Sequence, residues 1–261
     1  MENTNNLLYR INGELDLNNF LSELAGQNLS NYNRVPKETY SNRLIFYFDT
    51  KDIRLYRFGG FFKVTLDQEV GNPILCTAEY KPNNSSRKQK IELVELNEKL
   101  KNKDVASVDI DFILTQLNKI YVKQAKDNFG LKHELENILT LSINDLTFFM
   151  QHISLRMMME ENSADVDFKV MPTAVLNVDG FPRNDTFMFF ALHDSTNFNH
   201  DPETRKNLEY EKQDAFDAFK KVVGKKPYKS KKITGNFYEY LLKQYSDYLC
   251  EKYPDYFNFN H

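Results

Sequence analysis

The stretch Phe46–Leu66, FYFDTKDIRLYRFGGFFKVTL, constrains this chain more than any other. An apolar strand ends in Asp49-Thr50, and a short Leu55-Tyr56-Arg57 turn follows. A Gly59-Gly60 step then opens a second strand, which carries Lys63. Strand, turn and strand in close succession point to a sheet-based fold. A second signal lies far downstream, where Leu208-Glu209-Tyr210-Glu211 reads as a strand with two acids on one face.

At 261 residues the chain suits one large domain or two small ones, with a substantial core in either case. A hydrophobic content of 41% and a charged content of 27% are those of an ordinary globular protein. The net charge of −3 argues against bulk electrostatic binding of duplex DNA but leaves room for a local basic pocket. Cys76 and Cys250 are far apart and in no metal spacing, which fits reduced thiols and a cytoplasmic location. His133, His152, His193, His200 and His261 form no ligand pattern for zinc. The N-terminal MENTNNLLYR is not a signal peptide, and no apolar run approaches the roughly 20 residues of a membrane span. The abundant Phe and Tyr suit either a stacking surface for bases or the packing of a β-rich core.

Along the chain, Leu7–Asn12 reads as a strand and Leu17–Ala25 as a helix capped by Asp16 and stopped by Gly26. Arg43–Phe48, Phe61–Gln68, Ile74–Lys81 and Lys88–Leu96 read as strands, with a Gly71-Asn72-Pro73 hairpin turn. Val108–Phe129 has helical periodicity and Gly130 ends it; Leu135–Leu139 and Ile143–His152 read as further helices. A helical insertion over about 98–152 therefore separates two β-rich halves of one domain spanning 1–261. Strands return at 153–160, 168–178, 186–192 and 207–212, with an Asp179-Gly180 turn. Two helices close the chain, one beginning at Asp214 and one over Asn236–Tyr253.

Glu209 and Glu211 on one strand face repel each other, a conflict that magnesium or manganese would resolve. They equally fit a solvated face neutralised by Lys206 and Lys212. Lys63, Lys81, Arg87, Lys88 and Lys90 would converge on one cavity if their strands curl into one sheet, with Glu79 on the face of Lys81. Such a cavity would hold phosphates by charge-assisted hydrogen bonds; the alternative is an ordinary solvent-facing sheet. Tyr228–Lys232 is either a solvated basic loop or a wall that reaches a phosphate, and Arg183 can face either way. No GxxxxGK[ST], GxGxxG or GxSxG pattern is present.

The stretch Phe46–Leu66 resembles the second and third strands of the CYTH family, the triphosphate tunnel enzymes. Leu75–Lys81 resembles the following strand, which ends in a substrate-binding lysine; Leu208–Glu211 resembles the late metal-holding Glu-x-Glu strand; and Ser230-Lys231 resembles a C-terminal Ser-Lys pair. Two places depart from that pattern. Leu8, Arg10 and Asn12 stand where the family has Glu-x-Glu-x-Lys, and Thr65 follows Lys63 where it has a second arginine.

The resemblance implies an α+β fold, an antiparallel eight-stranded β-barrel or tunnel with helices inserted in the middle and at the C-terminus. It implies a ligand of the triphosphate class, a nucleotide or inorganic polyphosphate, turned over with Mg2+ or Mn2+ by hydrolysis or by other phosphoryl or nucleotidyl chemistry such as cyclisation of ATP. Lys63, Lys81, Arg87, Arg183 and Lys231 would hold phosphates, Glu209 and Glu211 the metal, with Glu79 or Glu92 assisting. The alternatives are a tunnel protein that binds a phosphorylated ligand without turnover, and an α+β domain whose aromatic surface makes protein contacts.

Overall fold

Period-two alternation builds the centre of the sheet. On β2 (Lys37–Asp49) the even residues Leu44, Phe46 and Phe48 are buried; on β3 (Phe61–Glu69), Phe62, Val64 and Leu66; on β4 (Leu75–Lys81), Cys76, Ala78 and Tyr80. These apolar rows share one face and form a continuous core with the helices of the middle segment. The odd residues face the other way and are mostly polar or charged. The computed structural model describes residues 6–12, 37–69, 71–83, 87–124, 130–160, 166–194, 203, 206, 210, 229–232 and 237–255.

The strand order is β5-β4-β3-β2-β6-β7-β8-β1-β9, with β1 Asn6–Asn12, β5 Gln89–Glu92, β6 Thr147–Glu160, β7 Val166–Val178, β8 Phe181–Asp194 and β9 Lys229–Lys232. The α+β class and the antiparallel sheet stand as expected. Among the described residues the sheet has nine strands, and no ladder joins β5 to β9. The chain forms two compact units. One holds 1–41, 154–173 and 186–234; the other holds 42–153, 174–185 and 235–261.

In the second unit α1 (Arg54–Arg57) makes the turn between β2 and β3. Asp49 organises it: its carboxylate accepts from the backbone N–H of Thr50 and Leu55, both at 2.8 Å, and of Tyr56 at 3.0 Å. Gly60 then lets the chain pass against the end of β4, since a Cβ there would lie 2.4 Å from the Lys81 carbonyl oxygen. The Gly-Gly step in the sequence is therefore a close approach of two backbones.

The middle segment packs α2 (Val94–Leu100) and α3 (Ile110–Lys123) on the apolar face. Asp109 caps α3 by accepting from Phe112 N–H at 2.7 Å, and Ile113, Leu117 and Ile120 form its buried stripe. Burying such side chains contributes roughly 2 kcal/mol each. A short helix α4 (Leu131–His133) continues as a π-helix, Glu134–Leu139, where a helix was expected.

The structure corrects three expectations. The strand read over 88–96 stops at Glu92, because Leu96 and Leu100 are spaced to bury one helical face against the core. The helix read over 143–152 is one 3-10 turn, Ile143–Asp145, closed by a Ser142/Asp145 capping box; Thr147 then begins β6. The segment Thr147–Ile153 is rich in aromatic and β-branched residues, which a pleated strand accommodates better. The closing helix is broken into α5 (Phe237–Lys243) and α6 (Ser246–Lys252), and Gln244 and Tyr245 bond back three residues, to Leu241 and Leu242.

The Asp179-Gly180 turn joins β7 to β8 as expected, with φ of 54° and 84°. Asp179 accepts from the Tyr253 hydroxyl at 2.9 Å and pairs with Lys252, tying α6 to the hairpin. The helix expected over Leu17–Ala25 and the one beginning at Asp214 lie outside the described residues.

Candidate functional site

The odd-numbered face of β2, β3 and β4 in the second unit carries buried ionisable groups. Antiparallel register sets Lys63 opposite Glu79 and Thr65 opposite Thr77. The Lys63 ammonium lies 3.2 Å from Glu79 Oε2, and the Lys88 ammonium reaches the same oxygen at 2.7 Å. The Glu79 side chain is 5% exposed and that of Lys63 15%. Lys88 enters from the exposed chain before β5. Farther along, Arg43 on β2 pairs with Asp67 on β3 at 3.0 Å. Between the two pairs the Thr65 hydroxyl, 1% exposed, has no hydrogen-bond partner among the described residues.

Aromatic rings wall this face. Tyr47 stacks on Tyr238 of α5 at 4.4 Å between centroids and on His152 of β6 at 5.8 Å. The Lys63 ammonium is 6.0 Å from the Tyr47 ring and 5.9 Å from that of Phe61.

The titration behaviour follows from burial and from the excess of cations. Burial pushes the Lys63 ammonium down to about 8; Glu79 pulls it up, while Lys88 and Arg43 press it further down. Burial works to raise Glu79, but the Lys63 and Lys88 charges outweigh it and hold the carboxyl at about 2. Burial, then the charges of Lys63 and Arg43, push His152 down to about 3, so its ring is neutral at pH 7. Burial and the Glu79 carboxylate raise the Tyr47 phenol. Among the described residues, three cations, Arg43, Lys63 and Lys88, meet two carboxylates, Asp67 and Glu79.

Of the residues singled out in the sequence, Lys63 lies at the centre of this cluster with Glu79. Lys81 is half-buried at the end of β4, registered opposite Phe61. Arg87 is exposed just ahead of β5. Arg183 packs its guanidinium 5.4 Å and 5.1 Å from the ring centres of Tyr245 and Tyr248. Lys231 lies on β9 in the other unit, registered opposite Arg10. Glu92 is exposed and accepts from the Asn97 amide at 2.7 Å.

Glu209 and Glu211 lie outside the described residues. The strand expected over 207–212 is corrected at Tyr210, which is helical and exposed, as are Glu203 and Lys206. The same-face argument for the two glutamates assumed a strand and loses that support. Sequence reasoning missed Arg43, Tyr47, Asp67 and His152. For the first three, the alternation of polar with apolar residues on β2 and β3 was the available signal.

In fold the chain is similar to a Hippeastrum protein, HpAC1, assigned as an adenylyl cyclase with a dominant triphosphatase activity. That likeness has 11% identity, covers 92% of this chain and 94% of that one, and has a TM-score of 0.49. It is also similar to a protein of Bacillus halodurans assigned as an adenylate cyclase (10% identity, 91% and 98% covered, TM-score 0.47). A third likeness is to the capping-enzyme triphosphatase of Mimivirus (10% identity, 83% and 90% covered, TM-score 0.34). No family model and no curated protein matches the chain. With these three TM-scores below 0.5, the site is defined by this chain's own residues alone.

The described part of the face does not fit a divalent metal. Glu79 is matched by two ammoniums and Asp67 by Arg43. Among the described residues no three His, Cys, Asp or Glu side chains form a metal-holding group. A different cleft, of about 460 Å³, is lined by Thr50, Lys51, Asp52, Arg54, Asn144 and Asp145 with Leu141. Several of its charges are engaged locally: Arg54 donates to Thr140, Asp52 pairs with Arg57, and Asp145 caps Ser142. Among the described residues no helix is long and apolar enough to cross a membrane.

Proposed function

We propose that the polar face of β2, β3 and β4 binds a triphosphate-containing ligand, a nucleotide or an inorganic polyphosphate. The observation that carries this reading is the Lys63–Glu79–Lys88 cluster: two ammoniums share one buried carboxylate oxygen, with Arg43 on the same face. A phosphate chain bridging the two lysines would place several anionic oxygens against an excess of positive charge, in a site partly screened from water. The Thr65 hydroxyl, unpartnered among the described residues, adds a donor beside Lys63. Lys81 at the end of β4 and Arg87 just ahead of β5 would extend the contact within the same unit.

Hydrolysis with magnesium or manganese is the activity the CYTH resemblance implies, and in this chain it would rest on Glu209 and Glu211. The neutralised state of Glu79 and Asp67 favours binding without turnover. One experiment separates the two: phosphate release from inorganic triphosphate and ATP is assayed with manganese, in wild type and Glu211→Ala, beside calorimetric binding of the same ligands. Binding without release supports the binding reading. Release that Glu211→Ala abolishes establishes the hydrolase. Absence of both rejects a phosphate site.

A further inference from the structure

We infer that this face takes its phosphate ligand as the metal-free polyanion, the lysine pair standing where a divalent cation would otherwise neutralise charge; the inference rests on the binding site proposed above. Lys63 and Lys88 converge on a single oxygen of Glu79, at 3.2 Å and 2.7 Å. A divalent cation seeking that carboxylate would have to displace two ammoniums and remain beside them, so attraction to one acid is opposed by two like charges. Among the described residues the other acid of the face is no more available, because Asp67 is held by Arg43 at 3.0 Å. His152 is neutral and could donate a nitrogen, but the charges of Lys63 and Arg43 that help keep it neutral also repel a metal.

An anion meets the reverse situation. It enters a positive field, and each ammonium can exchange its bond to Glu79 for a bond to a phosphate oxygen. A metal complex of the same ligand carries less negative charge and a shell of bound water, so it gains less from the lysines. The ligand class is thus a polyphosphate or nucleoside polyphosphate in its uncomplexed form.

The test is calorimetric titration of inorganic triphosphate into the full chain, in EDTA and in excess magnesium, with manganese alone titrated as a third arm. The inference predicts binding in EDTA, weakened at least tenfold by magnesium, an amount equivalent to about 1.4 kcal/mol. It also predicts that Glu79→Gln, folded by circular dichroism, still binds triphosphate in EDTA, because the carboxylate competes with the ligand for the lysines rather than holding a metal for it. Binding that requires magnesium overturns the inference while leaving a phosphate site intact. Manganese binding lost in Glu79→Gln overturns it as well. No binding in either buffer rejects the site itself, and the inference with it. If the variant is unfolded, the wild-type titrations decide alone.

Discussion

Replacing Glu79 by glutamine tests whether the charges of this face are coupled as the geometry requires. Glutamine is close in shape to a protonated glutamate, so the substitution resembles fixing the carboxyl in its neutral form. In the folded chain that carboxyl is held at about 2, against an ordinary value of 4.5. At about 1.4 kcal/mol for each pH unit, the ionised form is favoured by about 3 kcal/mol over what it would be in the unfolded chain. The folded value is the depressed one, so this stability is present above pH 4.5 and is lost as pH falls toward 2.

Lys63 limits the damage. With Glu79 gone its pKa drops below about 8, and once below the ambient pH the amine sheds its proton instead of remaining an unpaired buried charge. The expected loss at pH 7 is therefore about 3 kcal/mol or somewhat less. Urea denaturation of wild type and Glu79→Gln from pH 7 to pH 3 measures it. The two stabilities should differ at pH 7 and converge in acid. A difference below about 0.5 kcal/mol at pH 7, or one that does not change with pH, would refute the coupling.

Asp49 carries the opposite sign from Glu79. Burial raises its carboxyl to about 6 from 3.8 despite three backbone donors, so wild-type stability relative to Asp49→Asn should fall as pH rises between those values, by up to about 3 kcal/mol; paired denaturation curves at pH 4 and 7 check it. Lys63→Met should show a change on the alkaline side. The folded value of about 8 lies below the ordinary 10.5, so wild type gains on the variant as pH rises between them, by up to about 3 kcal/mol, measured by denaturation at pH 7.5 and 10. Gly60→Ala should cost roughly 1–3 kcal/mol, because the new Cβ meets the Lys81 and Pro82 backbone; an unchanged urea midpoint would contradict the close approach.

Much of the sheet was legible because strands β2, β3 and β4 alternate, with Phe46, Phe48, Phe62 and Val64 on one side and mostly charged or polar groups on the other. The Asp49-Thr50 and Asp179-Gly180 turns were legible from residue chemistry alone. What failed has a common physical cause. Short mixed runs such as 143–152 satisfy helical and strand patterns equally, and only tertiary packing decides between them. Reading that run as a helix hid His152, which belongs to a strand wall beside Tyr47. Lys63 was legible as a phosphate candidate, but its pairing depends on the cross-strand register that brings it to Glu79 and on a neighbouring segment that delivers Lys88. The alternation marks Arg43 and Asp67 as polar positions of their strands, but they are distant in sequence and meet only across adjacent strands, so no local spacing announces their pairing.

The claim that Lys63 is a phosphate contact is tested most directly by following its ammonium through a pH titration by NMR, with and without inorganic triphosphate. In the free chain the ammonium should titrate near 8, and with triphosphate it should move clearly upward as the phosphate oxygens replace and exceed the hold of Glu79. A Lys63 signal that titrates at the ordinary 10.5 in the free chain, or that does not move when the ligand is bound, would contradict the claim.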